Sequence, residues 1–419
     1  MLGREFQKLW VGQSISAVGS SITQFALPLT AALTLEATPE QMGVLTAATW
    51  LPYLLFGLLA GAWSDRLRRR PILIVTDVVR AAVLGTIPLA AALHVLTIAQ
   101  VLVVAFVAGS MTVVFQSAYR PYIPFLVGRD ALVQANSRLA LSESVARVAG
   151  PSLGGLLVQL ITAPIAIAAD ALSFVVSAVA VSLIRATETL PPKSERRSIW
   201  TEMGEGIRVA FANRFIRTVL TMSFMFNFAI TMGDAVFILY VTRQLGLDAA
   251  HLGVVFTVGG LASVGGAAIV SRYIARLGIG PGVVTGLLTL TIGGTLVLVA
   301  GGGPDLATVY ISARAALFGF SAAVINVTTG TVAQAAIPDR LQGRVGGAAQ
   351  LISLGLIPVS ALLGGWLGSN VGLWNTLALS VGAQLAAFLY VVTSPLRGIK
   401  TARDVMDVPA SAGAVGSNA

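Results

Sequence analysis

Twelve runs of about 20 mostly apolar residues, separated by short stretches of charge, Pro or Gly, constrain this chain more than any other feature, because about 20 such residues let one helix cross the roughly 30 Å hydrocarbon layer of a bilayer. The runs are 10–34, 41–63, 72–93, 97–119, 138–160, 164–184, 215–241, 251–271, 282–302, 306–334, 345–367 and 373–393. They fall six and six about one long polar stretch that contains Pro191, Pro192, Lys193, Arg196 and Arg197. The predicted architecture is an all-α polytopic membrane protein of 12 transmembrane helices: an N-terminal six-helix half (1–184), a cytoplasmic linker (185–213), a C-terminal six-helix half (214–395) and a flexible cytoplasmic tail (396–419). Composition excludes the soluble alternative. Charged residues are only 11% of the 419, against roughly 25% in an ordinary soluble domain.

The formal charge of +9 invites a nucleic-acid reading, so the basic residues must be located. With the N-terminus placed inside, 23 of the 27 Lys and Arg fall in inner segments, three (Arg80, Arg147, Arg314) lie within spans, and one, Arg243, lies in an outer loop. Basic loops resist translocation. The surplus is therefore a topology signal: both termini are expected in the cytoplasm, and no nucleic-acid partner is needed. The first run is too long for a cleaved signal peptide and reads as a retained helix.

The halves echo each other at an offset of about 206 to 214 positions. Asp65-Arg66 corresponds to Ser271-Arg272, the segment from Pro124 corresponds to that from Pro338, and Pro151 with Gly154-Gly155 corresponds to Pro358 with Gly364-Gly365. Repeated six-helix halves are a recurring plan of secondary transporters, with a midplane site between them. A duplicated scaffold without transport is the alternative.

Two segments carry motif-like chemistry. Gly61-Ala-Trp-Ser-Asp65-Arg66-Leu-Arg68-Arg69-Arg70-Pro71 falls between spans two and three. There Gly61 permits close helix approach, Asp65 can cap a helix or pair with an Arg, and the basic cluster faces the anionic leaflet; a plain positive-inside loop would read the same way. Gly150-Pro151-Ser152-Leu153-Gly154-Gly155 in span five suits a kink and tight packing. The first segment resembles the loop 2–3 signature of the major facilitator superfamily, with Arg68 where that pattern usually has Gly. The second resembles the superfamily's fifth-helix signature, found in drug:proton antiporters and other exporters. Leu9-Trp10-Val-Gly12-Gln13, Thr76-Asp77-Val-Val-Arg80, Asp170-Ala-Leu-Ser-Phe174 and the segment Pro338 to Val345 resemble the branch holding macrolide-efflux and enterobactin-exporter-like proteins. The resemblance implies a major-facilitator fold, a multi-pass protein of the bacterial inner membrane, and a latch between halves formed by Asp65, Arg66 and Arg69. It also implies export of a small amphiphilic molecule, by antiport with protons. Phe106 to Tyr119 lacks the charge many drug:proton antiporters carry there, and Ser271 replaces the Asp of the first repeat.

An ionisable residue at membrane depth is costly and points to function. Asp234 in span seven and Arg314 in span ten lie at similar depths, so the two are expected to pair, the pair breaking when Asp234 takes a proton or substrate binds; a static pair is the alternative. Glu143 and Arg147 stand four apart on span five and can pair along one face as a relay or gate. Asp77 and Arg80 are expected to snorkel or anchor the neighbouring loop. Asp170 is expected near the outer face, in a structural role. Gln13, Gln24, Gln116, Asn227, Asn326 and Gln334, amid Phe25, Phe115, Met225, Phe226, Met232, Phe318 and Phe320, are the candidates for lining a cavity suited to an amphiphilic ligand. No Gly-x-x-x-x-Gly-Lys-Ser/Thr loop, nucleophile elbow or metal-ligand spacing occurs, and the two histidines, His94 and His251, stand far apart. The expectation is a non-enzymatic, cofactor-free and monomeric transporter whose partners are a small molecule, protons and lipid. Import or uniport, and a membrane scaffold or sensor, are the alternatives.

Overall fold

A computed structural model describes residues 2–64, 67–128, 130–186, 211–337 and 355–401, with positions 188, 204, 207–208, 346 and 404 between and after them. Among these residues the chain forms twelve long helices and no strand. They are α1 (Arg4–Leu29), α2 (Pro39–Ser64), α3 (Arg69–Ala92), α4 (Ile98–Val127), α5 (Leu132–Leu160), α6 (Ala163–Ser182), α7 (Arg214–Leu239), α8 (Ala249–Leu277), α9 (Ile279–Val299), α10 (Pro304–Ala336), α11 (Ile357–Asn370) and α12 (Leu373–Thr393). Eight of them are long and apolar enough to cross a membrane by length and composition. Short polar signals set the ends: Thr97, Asn213 and Asp248 accept backbone N–H bonds at the starts of α4, α7 and α8, satisfying donors that a helix start leaves free.

Eleven of the apolar runs each become one helix with shifted ends, and the described part of the twelfth, 345–367, enters α11. α4 continues to Val127 through Pro121 and Pro124, and α5 starts at Leu132 rather than 138. Helix ends projecting past the hydrocarbon can carry charge, so hydropathy under-reads them. Residues 345 and 347–354 of the predicted span 345–367 lie outside the described residues. The tail is docked at its start: Leu396 and Ile399 are buried, and Gly280 N–H donates to the Ile399 carbonyl at 2.7 Å.

α1 packs on α5 and α6, and α3 on α4 and α6; in the second half α10 packs on α8 and α9, and α12 on α7 and α9. The halves meet through α5 against α8 and α2 against α11. Both contacts need glycine. A Cβ at Gly155 would lie 2.8 Å from Ala249 O and 3.0 Å from Gly253 Cα, and one at Gly43 would lie 2.6 Å from Ala361 O and 3.0 Å from Gly365 Cα. Gly43 and Gly253, and Gly155 and Gly365, are each 210 positions apart, so the contacts are equivalent under the internal repeat. So are the π-helical turns Thr30–Thr34 and Tyr240–Gln244 that close α1 and α7.

These contacts gather at the end that the Lys and Arg distribution assigns to the outside. There one apolar cluster joins Leu29, Ala31 and Met42 to Val236, Leu239, Leu252 and Leu377. Toward the other end the clusters separate, with Phe6, Leu73 and Tyr122 in the first half and Met222, Leu287 and Val391 in the second. The bundle is closed at the end that carries the α5–α8 and α2–α11 contacts, the outer end by the Lys and Arg distribution, and open at the other.

Candidate transport cavity

Two adjoining cavities occupy the open side. The one nearer the inner end, about 430 Å³, is lined by Gln13, Gln116, Tyr119, Arg120, Asn136 and Glu143 among others. The deeper one, about 410 Å³, is lined by Gln24, Trp50, Tyr53, Asp170, Phe174 and Asp234 among others. Ser20, Arg80 and Thr112 line both.

Arg80 does not snorkel. Its guanidinium pairs with Asp77 one turn earlier on α3 and is sandwiched between the rings of Phe115 (4.5 Å) and Phe174 (4.0 Å). Asp77 also accepts a hydrogen bond from Ser177 Oγ at 2.7 Å, and Gln13 donates to the same hydroxyl at 2.7 Å. With rings to cover the cation and the Ser177 hydroxyl to help satisfy the carboxylate, the pair stays buried at 5% and 0% exposure. Asp170 is likewise misplaced by the sequence reading. α6 begins at Ala163, so Asp170 lies about two turns inside the helix, and it lines the deeper cavity. The missed signal was the co-occurrence of charges on spans three and six, two helices that pack directly on each other.

Asp234 and Arg314 approach to 3.4 Å, and the Arg314 guanidinium lies 4.3 Å from the Phe237 ring. Half of the Asp234 side chain is open to the deeper cavity. Its repeat equivalent is Gln24, which lines the same cavity. Glu143 lines the inner cavity, but no ion pair joins it to Arg147 among the described residues; the Arg147 backbone instead abuts Gly260 of α8.

The fifth-helix segment is the packing hub. Cβ atoms at Gly150 and Gly154 would meet Ser21 and Phe25 of α1, while Gly155 faces α8, as does Ser152, whose hydroxyl bonds that of Thr257. Pro151 presents its carbonyl to Gly253. Gly61 ends within α2, and Asp65 and Arg66 lie outside the described residues. Arg69 binds within its own side of the molecule rather than across the halves: to Glu188 at 2.9 Å and the Pro121 carbonyl at 3.4 Å. Phe25 and Phe226 are buried in packing, Phe25 edge-on to Phe256 and Phe226 beside Met222 and Leu287. They line neither cavity, and neither do Asn227, whose amide donates to Ser223 O, and Asn326, which is exposed on α10.

Residues 9–357 match the family model of the Major Facilitator Superfamily. The chain belongs to that superfamily. It is a polytopic membrane transporter, not an enzyme. It is 26% identical to the multidrug efflux pump Tap of Mycolicibacterium fortuitum over 401 residues, spanning 92% of this chain and 95% of that one. Macrolide efflux protein A of Streptococcus pyogenes is 26% identical over 242 residues, 56% of this chain and 58% of its own. Among solved structures, a bacterial homologue of the iron transporter ferroportin in an inward-facing state shares the fold at a TM-score of 0.72 and 16% identity, covering 94% of this chain and 98% of that chain. The nucleoside transporter NupG does so at 0.73 and 11%, covering 93% and 98%.

Arg243, the lone basic residue of the outer loops, acquires a role in the closed end of this transporter. Its guanidinium donates to the carbonyls of Ala37 (2.9 Å) and Ala32 (3.4 Å) in the opposite half. Charge-assisted bonds to backbone are worth about 1.5–3 kcal/mol when enclosed; partial exposure here lowers that to ~1 kcal/mol. Arg243→Ala should therefore raise the outward-open population about fivefold, measurable as faster outside labelling of a single cysteine placed in the deeper cavity. Unchanged labelling would reduce these bonds to a static contact.

Proposed function

We propose that this transporter exports a small amphiphilic molecule in exchange for protons, by rocking residues 1–184 against 214–395 about the cavity, with both termini and the 185–213 linker on the cytoplasmic side. One observation carries the reading: a cavity closed at its outer end receives carboxylates from both halves, Asp170 and Asp234, amid the rings of Trp50, Tyr53 and Phe174. Full-length similarity to an efflux pump supports export, and the Lys and Arg distribution supports the orientation.

A carboxylate has different preferred partners when charged and when neutral, so protonation can bias a two-state element. The candidates for that role are Asp234 with Arg314, and Glu143 in the inner cavity, with Arg147 at the α5–α8 contact. Gln13, Gln24 and Gln116 supply the polar anchors. Gly150, Pro151, Gly154 and Gly155 set the approach of α5 to α1 and α8 on which the halves turn.

The test is flux through purified monomer in liposomes. An imposed pH gradient should drive accumulation of a cationic dye such as ethidium, and an uncoupler should collapse it. Flux indifferent to the gradient would make the protein a uniporter, and no flux across a panel of amphiphiles would leave a scaffold.

A further inference from the structure

One turn at the closed end carries backbone strain. Glu36, between α1 and α2, adopts φ +48°, a left-handed conformation that residues with a Cβ rarely take. The internal repeat supplies the comparison. The equivalent position, 210 residues on, is Gly246 at φ +72°, and glycine takes that conformation at no steric cost. The backbone path is the same in both halves: Leu35 N–H donates to Thr30 O and Ala37 N–H to Ala31 O, as Leu245 N–H does to Tyr240 O and Leu247 N–H to Val241 O. The first half therefore threads through a resisting residue the turn that the second half makes with glycine. The Glu36 side chain is exposed, so its own burial does not offset the strain. His94, the other non-glycine residue of positive φ among the described residues, lies in the α3–α4 turn and faces no such comparison, since its repeat equivalent is Pro304.

What holds the Glu36 turn comes from the opposite half. Arg243 donates to the carbonyls of Ala32 and Ala37, which flank Glu36 on either side. Ala32 belongs to the π-helical turn Thr30–Thr34, and both alanines are buried in the apolar cluster that joins the halves at this end. The clamp is one-sided, because Leu33 stands at the repeat position of Arg243 and has no donor to offer the second half. When the halves part at this end, Arg243 leaves with its own half and the turn is free to relax.

We propose that the 32–37 turn is a spring, strained at Glu36 and held by Arg243, that biases the closed outer end toward opening. Strain carried by one of two states and released in the other shifts the equilibrium toward the second. The inference rests on the rocking reading above for what opens.

The test is access to a single Thr46→Cys in the deeper cavity, labelled from outside on intact cells with an impermeant maleimide. Glu36→Gly, which copies Gly246, should slow labelling about fivefold. Glu36→Asn should fall between Glu36→Gly and the wild type, because Asn tolerates the left-handed region, and Glu36→Val should label faster than the wild type. Glu36→Gln keeps the strain and removes the charge, so it should label as the wild type does. With Arg243→Ala also present, nothing holds the turn, and Glu36→Gly should change labelling by less than about twofold. A higher thermal midpoint in Glu36→Gly with labelling unchanged would show that both states carry the strain equally, and the proposal falls. Glu36→Gln labelling as slowly as Glu36→Gly would assign the effect to charge and overturn it too. Should Glu36→Val fail to insert, the Gly, Asn and Gln variants still decide the order. Gly155→Leu tells the failures apart: a flat Glu36 series beside rapid labelling of Gly155→Leu removes the spring and leaves the rocking reading standing, whereas no change in either removes both.

Discussion

Gly155→Leu is expected to hold the transporter open at its outer end and to slow transport severely. The Cβ at this position would sit 2.8 Å from Ala249 O and 3.0 Å from Gly253 Cα. Both are backbone atoms of α8, so no rotamer change relieves the overlap and the helices must part. Overpacking of a tight contact costs about 1–3 kcal/mol, which displaces the closed-to-open equilibrium about 5- to 150-fold. Each half keeps its own packing, so insertion and yield should change little. The chain contains no cysteine, so a single Thr46→Cys in the deeper cavity reports access cleanly. An impermeant maleimide applied from outside should label it slowly in the wild type and rapidly in Gly155→Leu, with flux reduced to match. Gly57→Leu is the control, because a Cβ at Gly57 meets nothing within 4 Å. Equal labelling of Gly155→Leu and wild type would show that the α5–α8 contact is not part of the gate.

The second large effect is expected at Asp234 and Arg314. Removing one partner of a buried pair leaves a charge without compensation and costs about 3–5 kcal/mol when the site is enclosed. Half of the Asp234 side chain faces the cavity, and solvent there reduces the cost to about 1–3 kcal/mol. Arg314→Ala should show this as a lowered thermal midpoint. Asp234→Asn is expected to lose pH-driven flux by about tenfold or more, because the amide cannot alternate between binding a proton and binding Arg314. The double variant Asp234→Asn with Arg314→Gln separates coupling from support. It should recover most of the stability and none of the pH-driven flux. If Asp234→Asn alone transports as the wild type does, the pair is a static tie between α7 and α10.

The particular residues show which inferences sequence can support. Counting residues along two helices places Asp234 and Arg314 at matching depth, and the count suffices because Asp234 lies ten residues before Gln244 and Arg314 ten after Pro304, at the same end of the bundle. For Asp170 the count itself holds, since the run starts at 164 and α6 at Ala163 and either puts it about two turns inside the helix; what counting along the chain does not give is that its face of α6 lines the deeper cavity. Counting fails for Arg80, because a cation near a helix end snorkels or turns inward according to what the neighbouring helices offer. Here they offer the rings of Phe115, on α4, and Phe174, on α6. Phe25 and Phe226 show the same limit from the other side. An aromatic residue on a cavity helix faces ligand or packing according to the rotation of that helix, and both of these turned to packing. Arg243 is an exception to the charge rule in the sequence, and the carbonyls of Ala32 and Ala37 that it binds are brought beside it only by the packing of the halves.

What the sequence alone determined was the number of helices, their membrane character, the repeat and, through its motifs, the superfamily. These follow from quantities additive along the chain: apolar length against bilayer thickness, and residue identity at fixed offsets. The tertiary structure alone decided that the glycines of α2, α5, α8 and α11 meet across the halves at the outer end, and that Asp170 and Asp234 share one cavity. The reason is geometric, since the rotation of a helix about its own axis is fixed by packing with its neighbours, and that rotation decides whether a charge meets a partner, a ring or open space.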